Sequence, residues 1–463
     1  MAQTAQIAQF PSEPENEAQR VLQAQRQAYL DNPYPSLEER LDNLLKLERL
    51  LVEHQEEIAR AISEDFGNRS VEESKLLELF LSIDGIRYAR KRLKKWMKPQ
   101  RRGVSIWFAG GRNRLLAQPK GVVGIVVPWN YPLFLAIGPL TNSRPGTDAR
   151  SRSRIRAIWP PCSTSNGGGN FERIHAGNPA RRARLGFYHL PFRDIHRLRP
   201  TSGARSCGQP PENLTPVTLE LGGKSPIHHT DDFDIDWRPA ASFSPKLMNA
   251  GQTSWRPISC TCPNPNRQNS VEPHALLRNA SPTFANGQFT TVIDDASFSR
   301  LTDTLADAEG GARVDQPYAQ IPADASAVFA AAGAPPRRRD KIMREDLRSN
   351  LAVRTYRDID GCSAISIGAS RPLGCTCSAM TRRYRGQGDL LYTLSAGSAS
   401  MTAHSRSRND TPFGGIEASG MGHWSRARGV QQTAAIFSQF RFSALPLLYP
   451  PYGLFSILSA DDS

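Results

Sequence analysis

The run Gly121-Val122-Val123-Gly124-Ile125-Val126-Val127 is continuously apolar and rich in β-branched side chains. A strand with no polar face has nothing to turn to water, so it belongs inside a parallel sheet covered on both sides. The run stops at Pro128-Trp129-Asn130-Tyr131-Pro132, and apolar residues then recur at helical spacing from Leu133 to Leu140. Strand, tight turn and helix thus follow one another directly.

Upstream, Leu37, Leu41, Leu44, Leu51, Ile58 and Ile62 predict one long amphipathic helix from Ser36 to Phe66, with Ser36 and Glu39 as a capping box. A second helical stretch is expected from Val71 to about Met97. Its basic end (Lys91, Arg92, Lys94, Lys95, Lys98, Arg101, Arg102) suits a solvated helix C-terminus. A chain of 463 residues has room for two or three domains.

The net charge of +14 and the pI of about 9.7 would by themselves suggest an acidic partner. Between Thr141 and Pro211, however, there are thirteen Arg, no Lys and three acidic residues, which is +10 of the +14. One segment makes the chain basic. It shows neither a helical nor a strand period, and its Arg, Ser, Pro and Gly are the composition of disorder, so local order is expected to fail there. The pattern fades again at 254–273 and 322–339.

No aromatic interleaving or reading motif accompanies the arginines, so nucleic acid is not the expected partner. A polyanion-binding protein is the alternative, and salt-dependent binding would test it. The pairs Cys260-x-Cys262 and Cys375-x-Cys377 lack the spacing of a zinc site, and no metal is expected. The chain has no N-terminal apolar run and no stretch of about 18 apolar residues; a cytoplasmic protein without a membrane span is expected.

Three features could carry chemistry: Asn130 at the end of the predicted strand, Glu220 followed by Leu221 and two glycines, and the turn Asn249-Ala250-Gly251-Gln252-Thr253-Ser254. A carboxylate beside Gly-Gly can approach a substrate closely and act as a general base, although a Glu near Gly is also an ordinary solvated loop residue. Gly222-Gly223-Lys224-Ser225 is not a P-loop, because Thr218 stands where its first Gly is required. No Gly-x-Gly-x-x-Gly fingerprint follows any strand.

Taken together and in order, Pro128-Trp129-Asn130-Tyr131-Pro132, Leu219-Glu220-Leu221-Gly222-Gly223-Lys224-Ser225-Pro226, Asn249-Ala250-Gly251-Gln252-Thr253 and Pro412-Phe413-Gly414-Gly415 resemble the signatures of the aldehyde dehydrogenase superfamily. Ser419-Gly420-Met421-Gly422-His423 and the Leu448-Tyr449-Pro450-Pro451-Tyr452 ending are similar to the bacterial coniferyl aldehyde dehydrogenase branch, related to class 3 enzymes.

The resemblance implies an α/β fold with a Rossmann-type cofactor domain at 18–230, a catalytic α/β domain at 231–410, and an oligomerisation arm from 101–119 with 411–463. It also implies an aromatic aldehyde such as coniferyl aldehyde, or a long-chain aldehyde, as substrate, NAD or NADP as cofactor, and a homodimer. A thiolate attacks the aldehyde, hydride passes to nicotinamide, and water hydrolyses the thioester. Asn130 would donate to the oxyanion and Glu220 would activate the water, while Trp129, Gly222 and Asp346 would belong to the cofactor site.

The departures are as specific as the matches. Ser254 stands where the family has its nucleophilic Cys, and Cys260 lies too far downstream to replace it. The Lys-Pro-Ser segment for the adenine ribose and the Gly-Ser-Thr turn for the pyrophosphate belong within Thr141 to Pro211, and neither is present. At Asp346 only the charge of the family's Glu survives, on a shorter arm. Little or no dehydrogenase turnover is expected, with a non-catalytic remnant as the alternative. The degraded segments read as codons translated out of frame; alternative frames over codons 141–211 should restore a Lys-Pro pair and a Gly-Ser-Thr turn.

Overall fold

A computed structural model describes residues 17–102, 113–115, 119, 121–142, 148–150, 194–197, 217–221, 225–229, 248–253, 257–263, 290–309, 314–315, 331–332, 352–356, 373–378, 398–400, 414–416, 419–422 and 435–437. The N-terminal part is helical: α1 (Glu17–Asp31), α2 (Leu37–Glu53), α3 (Gln55–Asp65), α4 (Val71–Ser74), a π-helical turn (Lys75–Phe80) and α5 (Leu81–Trp96).

The single helix expected from Ser36 to Phe66 breaks at His54, whose φ of −104° and ψ of 17° leave the helical region. A straight helix over that stretch would run about 45 Å. The break lets Leu44, Leu47 and Leu51 of α2 and Ile58 and Ile62 of α3 enter the same core. Ser36 does cap α2, its Oγ accepting from the Glu39 N–H at 3.1 Å. The other half of the capping box is not made as expected, because the Glu39 carboxylate accepts from Asn32 Nδ2 at 3.0 Å.

Strands are numbered along the chain. β1 (Gln100–Arg102) and β2 (Asn113–Leu115) form an antiparallel ribbon. β3 (Val123–Val126), β4 (Asp148–Arg150), β5 (Asp194–Arg197) and β6 (Val217–Glu220) form a parallel sheet, which β14 (Gly420–Met421) joins antiparallel in the order β14-β6-β5-β3-β4. The apolar run at Gly121 is therefore paired on both sides, by β5 and β4, with Val123 and Ile125 buried. Helix α6 (Phe134–Asn142) lies between this sheet and the helices: Leu135 and Ala136 pack with Val123 and Ile125, while Leu133 and Ile137 join the helical core. A helix apolar on all sides is suited to that position.

The second sheet is parallel throughout, in the order β11-β8-β7-β12-β13-β15. It contains β7 (Ser225–His229), β8 (Pro257–Pro263), β11 (Ala352–Tyr356), β12 (Gly374–Ser378), β13 (Ser398–Ser400) and β15 (Ala435–Phe437). A short pair, β9 (Val314–Asp315) and β10 (Ala331–Ala332), and helix α7 (Asp295–Glu309) complete the described elements.

Three expectations change. Order does occur within Thr141 to Pro211, because β4 and β5 flank β3; likewise β8 falls in 254–273 and β10 in 322–339. The physical reason is that a ladder is built from main-chain N–H and C=O groups, which every residue except Pro supplies in full, whatever its side-chain pattern. Second, β7, which precedes the boundary expected at 230–231, pairs within the six-stranded sheet. Third, β14 and β15 place parts of 411–463 within the two sheets. Most of the Arg-rich segment, residues 103–112 and the C-terminal run from 438 lie outside the described residues. Among the described residues no helix is long and apolar enough to cross a membrane.

His228 in β7 is 1% exposed, and burial pushes its imidazole down from 6.5 to about 4. Because the unfolded chain takes up the proton first, the stabilisation from the neutral ring is complete above pH 6.5 and is lost as pH falls toward 4. The difference corresponds to about 3 kcal/mol. His228→Leu should therefore lose less stability than the parent between pH 7 and pH 4; parallel melting curves in the two proteins check this.

Candidate active site

Strand β3 ends at Val126, and the chain turns through Val127, Pro128 and Trp129 to Asn130, which is 2% exposed. On either side of β3 the strand order reverses, β4 to one side and β5 to the other. Ligands of open α/β sheets bind outside the carboxyl ends of the strands at such a switch point.

Asn130 is joined there to a turn more than a hundred residues away. Its Nδ2 donates to the Gln252 carbonyl at 2.9 Å, and its own carbonyl accepts from Asn249 Nδ2 at 2.8 Å. A side-chain amide nitrogen carries two N–H groups, so the bond to Gln252 leaves one for another acceptor. Beside this, Tyr131 Oη and Thr253 Oγ1 lie 2.7 Å apart. Burial pushes the Tyr131 phenol well above its ordinary range, which keeps it un-ionised.

The turn itself is strained. Asn249, Ala250 and Gly251 have φ of 54°, 51° and 72°, three successive residues in the left-handed region. For the two that are not glycine this costs on the order of 1–3 kcal/mol each, which persists only where surroundings over-determine the conformation. The surroundings do so here. Gln252 Nε2 donates to the Asn249 carbonyl at 3.0 Å and to Thr291 O at 3.1 Å, its Oε1 accepts from Ile293 N, and the Asn249 N–H donates to the Glu73 carboxylate.

Beneath Asn130 is a buried charge cluster. Arg69 contacts Glu78 at 2.5 Å with both side chains fully buried, and its guanidinium stacks 5.0 Å from the ring centres of Phe66 and Tyr131. A further N–H of Arg69 donates to Asn130 O at 3.3 Å. The second oxygen of Glu78 accepts from the Leu133 and Phe134 N–H groups at 2.7 and 3.1 Å, satisfying orphan donors at the start of α6. Burial pushes both Glu73 and Glu78 above the usual carboxylate range; the Arg69 charge and these hydrogen bonds pull back against it.

Glu220 closes β6 and is 6% exposed. Arg197 of β5 pairs with both Val126 and Leu219, so Glu220 stands one residue past the level of Val126, two strand spacings or roughly 10 Å from β3. Asn130 and Glu220 thus share one sheet edge. β14 holds Glu220 from the other side: Gly420 is its register partner, and the Leu221 N–H donates to Ser419 O at 2.8 Å.

Of the residues singled out in the sequence, Asn130 and the 249–253 turn are joined directly and Glu220 lies at the same edge. Trp129 is partly buried and packs its ring 6.1 Å from Phe66, against the helical core. Ser254, Gly222 and Asp346 lie outside the described residues. Sequence reasoning missed Arg69, Glu73 and Glu78. A signal for Glu78 existed, since it interrupts the apolar run Leu76-Leu77-Glu78-Leu79-Phe80.

The switch point at β3 is the place where an open α/β sheet takes a dinucleotide. The chain contains no Lys-Pro-Ser or Gly-Ser-Thr segment in 141–211.

Comparison with known proteins adds ancestry to this geometry. The model of the aldehyde dehydrogenase family matches residues 2–142 and 203–439, and the interval it skips falls inside the Arg-rich segment. The chain is 32% identical to a probable coniferyl aldehyde dehydrogenase of Pseudomonas aeruginosa, over 95% of this chain and 94% of that one. It is 30% identical to a coniferyl aldehyde dehydrogenase of a Pseudomonas species, over 87% and 86%. Among solved structures it is similar to Staphylococcus aureus AldH in a substrate-bound state, with a TM-score of 0.79, 21% identity, and 96% and 99% coverage. A Mycobacterium tuberculosis aldehyde dehydrogenase complexed with NAD+ gives 0.74, 19%, 89% and 88%. At those identities the likeness is one of fold.

Proposed function

Because the chain belongs to the aldehyde dehydrogenase family, which oxidises aldehydes with NAD or NADP, we propose that its site takes an aromatic aldehyde of the coniferyl kind and turns it over slowly or not at all. The observation that carries this reading is the junction of Asn130 with the Asn249–Thr253 turn at the edge where Glu220 also ends its strand. The substrate class rests on the two coniferyl aldehyde dehydrogenases to which the chain is similar. A homodimer in the cytoplasm is part of the same proposal.

The remaining N–H of the Asn130 amide donates to the aldehyde oxygen and strengthens as that oxygen becomes negative, a type of contact whose loss costs roughly 10²- to 10³-fold in rate. The Glu220 carboxylate takes a proton from the hydrolytic water. NAD or NADP, when bound, supplies the hydride acceptor. The weak point is Ser254. A thiol ionises near pH 8.5 and is lowered further in such sites, whereas a serine hydroxyl needs a dedicated base, and none of the residues assigned to the site fills that role.

The test is an assay of the purified full chain with NAD or NADP and coniferyl aldehyde, followed by reduced-nicotinamide absorbance. Turnover far below about 1 s⁻¹, the lower end of ordinary enzymes, is expected. Ordinary turnover would overturn the impairment. Ser254→Cys alone should acquire reactivity toward an ester without regaining full dehydrogenase activity, because the chain carries no Lys-Pro-Ser or Gly-Ser-Thr segment in 141–211.

A further inference from the structure

We infer that Glu73 is a positioning residue for this site: its carboxylate holds the left-handed Asn249–Gly251 turn in the shape that brings the Gln252 carbonyl to the Asn130 amide and Thr253 to Tyr131. The inference rests on the reading of position 254 as the nucleophile's place, and extends it to a residue 176 positions away from the turn.

The argument begins with the main chain. Asn249 is fully buried, so its N–H needs a partner inside the protein. Glu73 provides it, from a position in α4 that is 3% exposed. The second carboxylate oxygen accepts from Thr290 Oγ1 at 2.7 Å. Thr290 begins the segment whose Thr291 carbonyl and Ile293 N–H grip the Gln252 side chain, and whose Thr291 N–H donates to Asn68 O at 2.8 Å.

Glu73 therefore ties both sides of the turn to one helix. The Asn249 side chain then reaches the Asn130 carbonyl, and the Gln252 carbonyl meets the Asn130 amide. The charged groups facing Glu73 are Arg69 and Glu78, which pack under Asn130 from the other side. A carboxylate is not the only side chain that could do this: Gln at position 73 would still accept from Asn249 through its oxygen and could donate to Thr290 through its nitrogen.

Two measurements on the full chain test the inference. Hydrogen exchange at 248–253 should lose protection by about tenfold or more in Glu73→Ala, the effect of removing one buried hydrogen bond, while Glu73→Gln stays within a few-fold of the parent. Amides of α2 should change little in either variant. In a Ser254→Cys background, acylation by p-nitrophenyl acetate should fall about 10²-fold on adding Glu73→Ala, as for a misplacement near 1 Å, and remain near the parent on adding Glu73→Gln. Leu51→Ala, which weakens the helical core away from the turn, should leave acylation unchanged.

Protection at 248–253 that is unchanged in Glu73→Ala, or that falls only in step with α2, overturns the inference. Equal acylation with and without Glu73→Ala does so as well. If Ser254→Cys itself fails to acylate, the reading of position 254 fails, and exchange at 248–253 still decides the role of Glu73.

Discussion

Arg69→Met should lower the free energy of unfolding by about 3–5 kcal/mol, the size expected when one partner of a buried ion pair is removed. Arg69 is completely buried and is the one cation among the described residues in contact with Glu78, with its charge also acting on Glu73. Met preserves much of the stem volume between the Phe66 and Tyr131 rings, so the loss reports the charge more than the packing. Two carboxyl groups would then be buried without a cation beside them, and each would resist ionisation more strongly than before.

The pH dependence of that loss has a definite sign. A carboxyl whose folded pKa is raised above 4.5 contributes stability that is fully present below 4.5 and is lost as pH rises through the folded value. Arg69→Met raises those folded values further, so the gap between parent and variant should narrow as pH is lowered toward 4.5. Denaturant unfolding at several pH values measures it. A loss under about 1 kcal/mol at neutral pH, typical of an exposed pair, would show that the cluster is not held as described.

Gly420→Ala should cost about 3–5 kcal/mol and detach β14 from β6, through overpacking and a strained backbone together. Gly420 has φ of 140°, and a Cβ there would lie 2.1 Å from Leu219 O and 2.9 Å from Leu219 C. Both are main-chain atoms of β6, so no rotamer change relieves the contact. Loss of β14 would carry away the Ser419 carbonyl that accepts from the Leu221 N–H and would open Glu220, now 6% exposed, to water. Met421→Ala, at a position 44% exposed, is the control and should stay within about 0.5 kcal/mol. Melting of the three proteins compares them; equal melting for Gly420→Ala and the parent would mean that β14 does not clamp the strand.

How much was legible in advance depended on how local the signal is. Strand β3 could be read from a few consecutive side chains, because a run without a polar face has one place to go. The same holds for α6, which has no solvated face, and for the Ser36 cap, which acts over three residues. The break at His54 was not legible, since both halves carry an acceptable helical stripe and only the shared core shows that a straight helix would overrun it. Nor were β4 and β5, which lie in a segment of Arg, Ser, Pro and Gly. Their place is set by main-chain pairing with β3, and side-chain periodicity does not record it.

The sequence by itself determined the α/β class and the family, and singled out Asn130, Glu220 and the Asn249–Thr253 turn as candidates for its chemistry, because each sits in a short motif whose meaning is local. It also determined the difficulty, with Ser254 where the thiol belongs. Only the tertiary structure decided how those motifs are held: Arg69, Glu73 and Glu78 are ordinary charged residues of a helical stretch until packing removes water from them. Once water is gone, every buried N–H and carboxylate oxygen must find a partner inside the protein, and the partners are Asn130, Asn249, Thr290 and the first turn of α6.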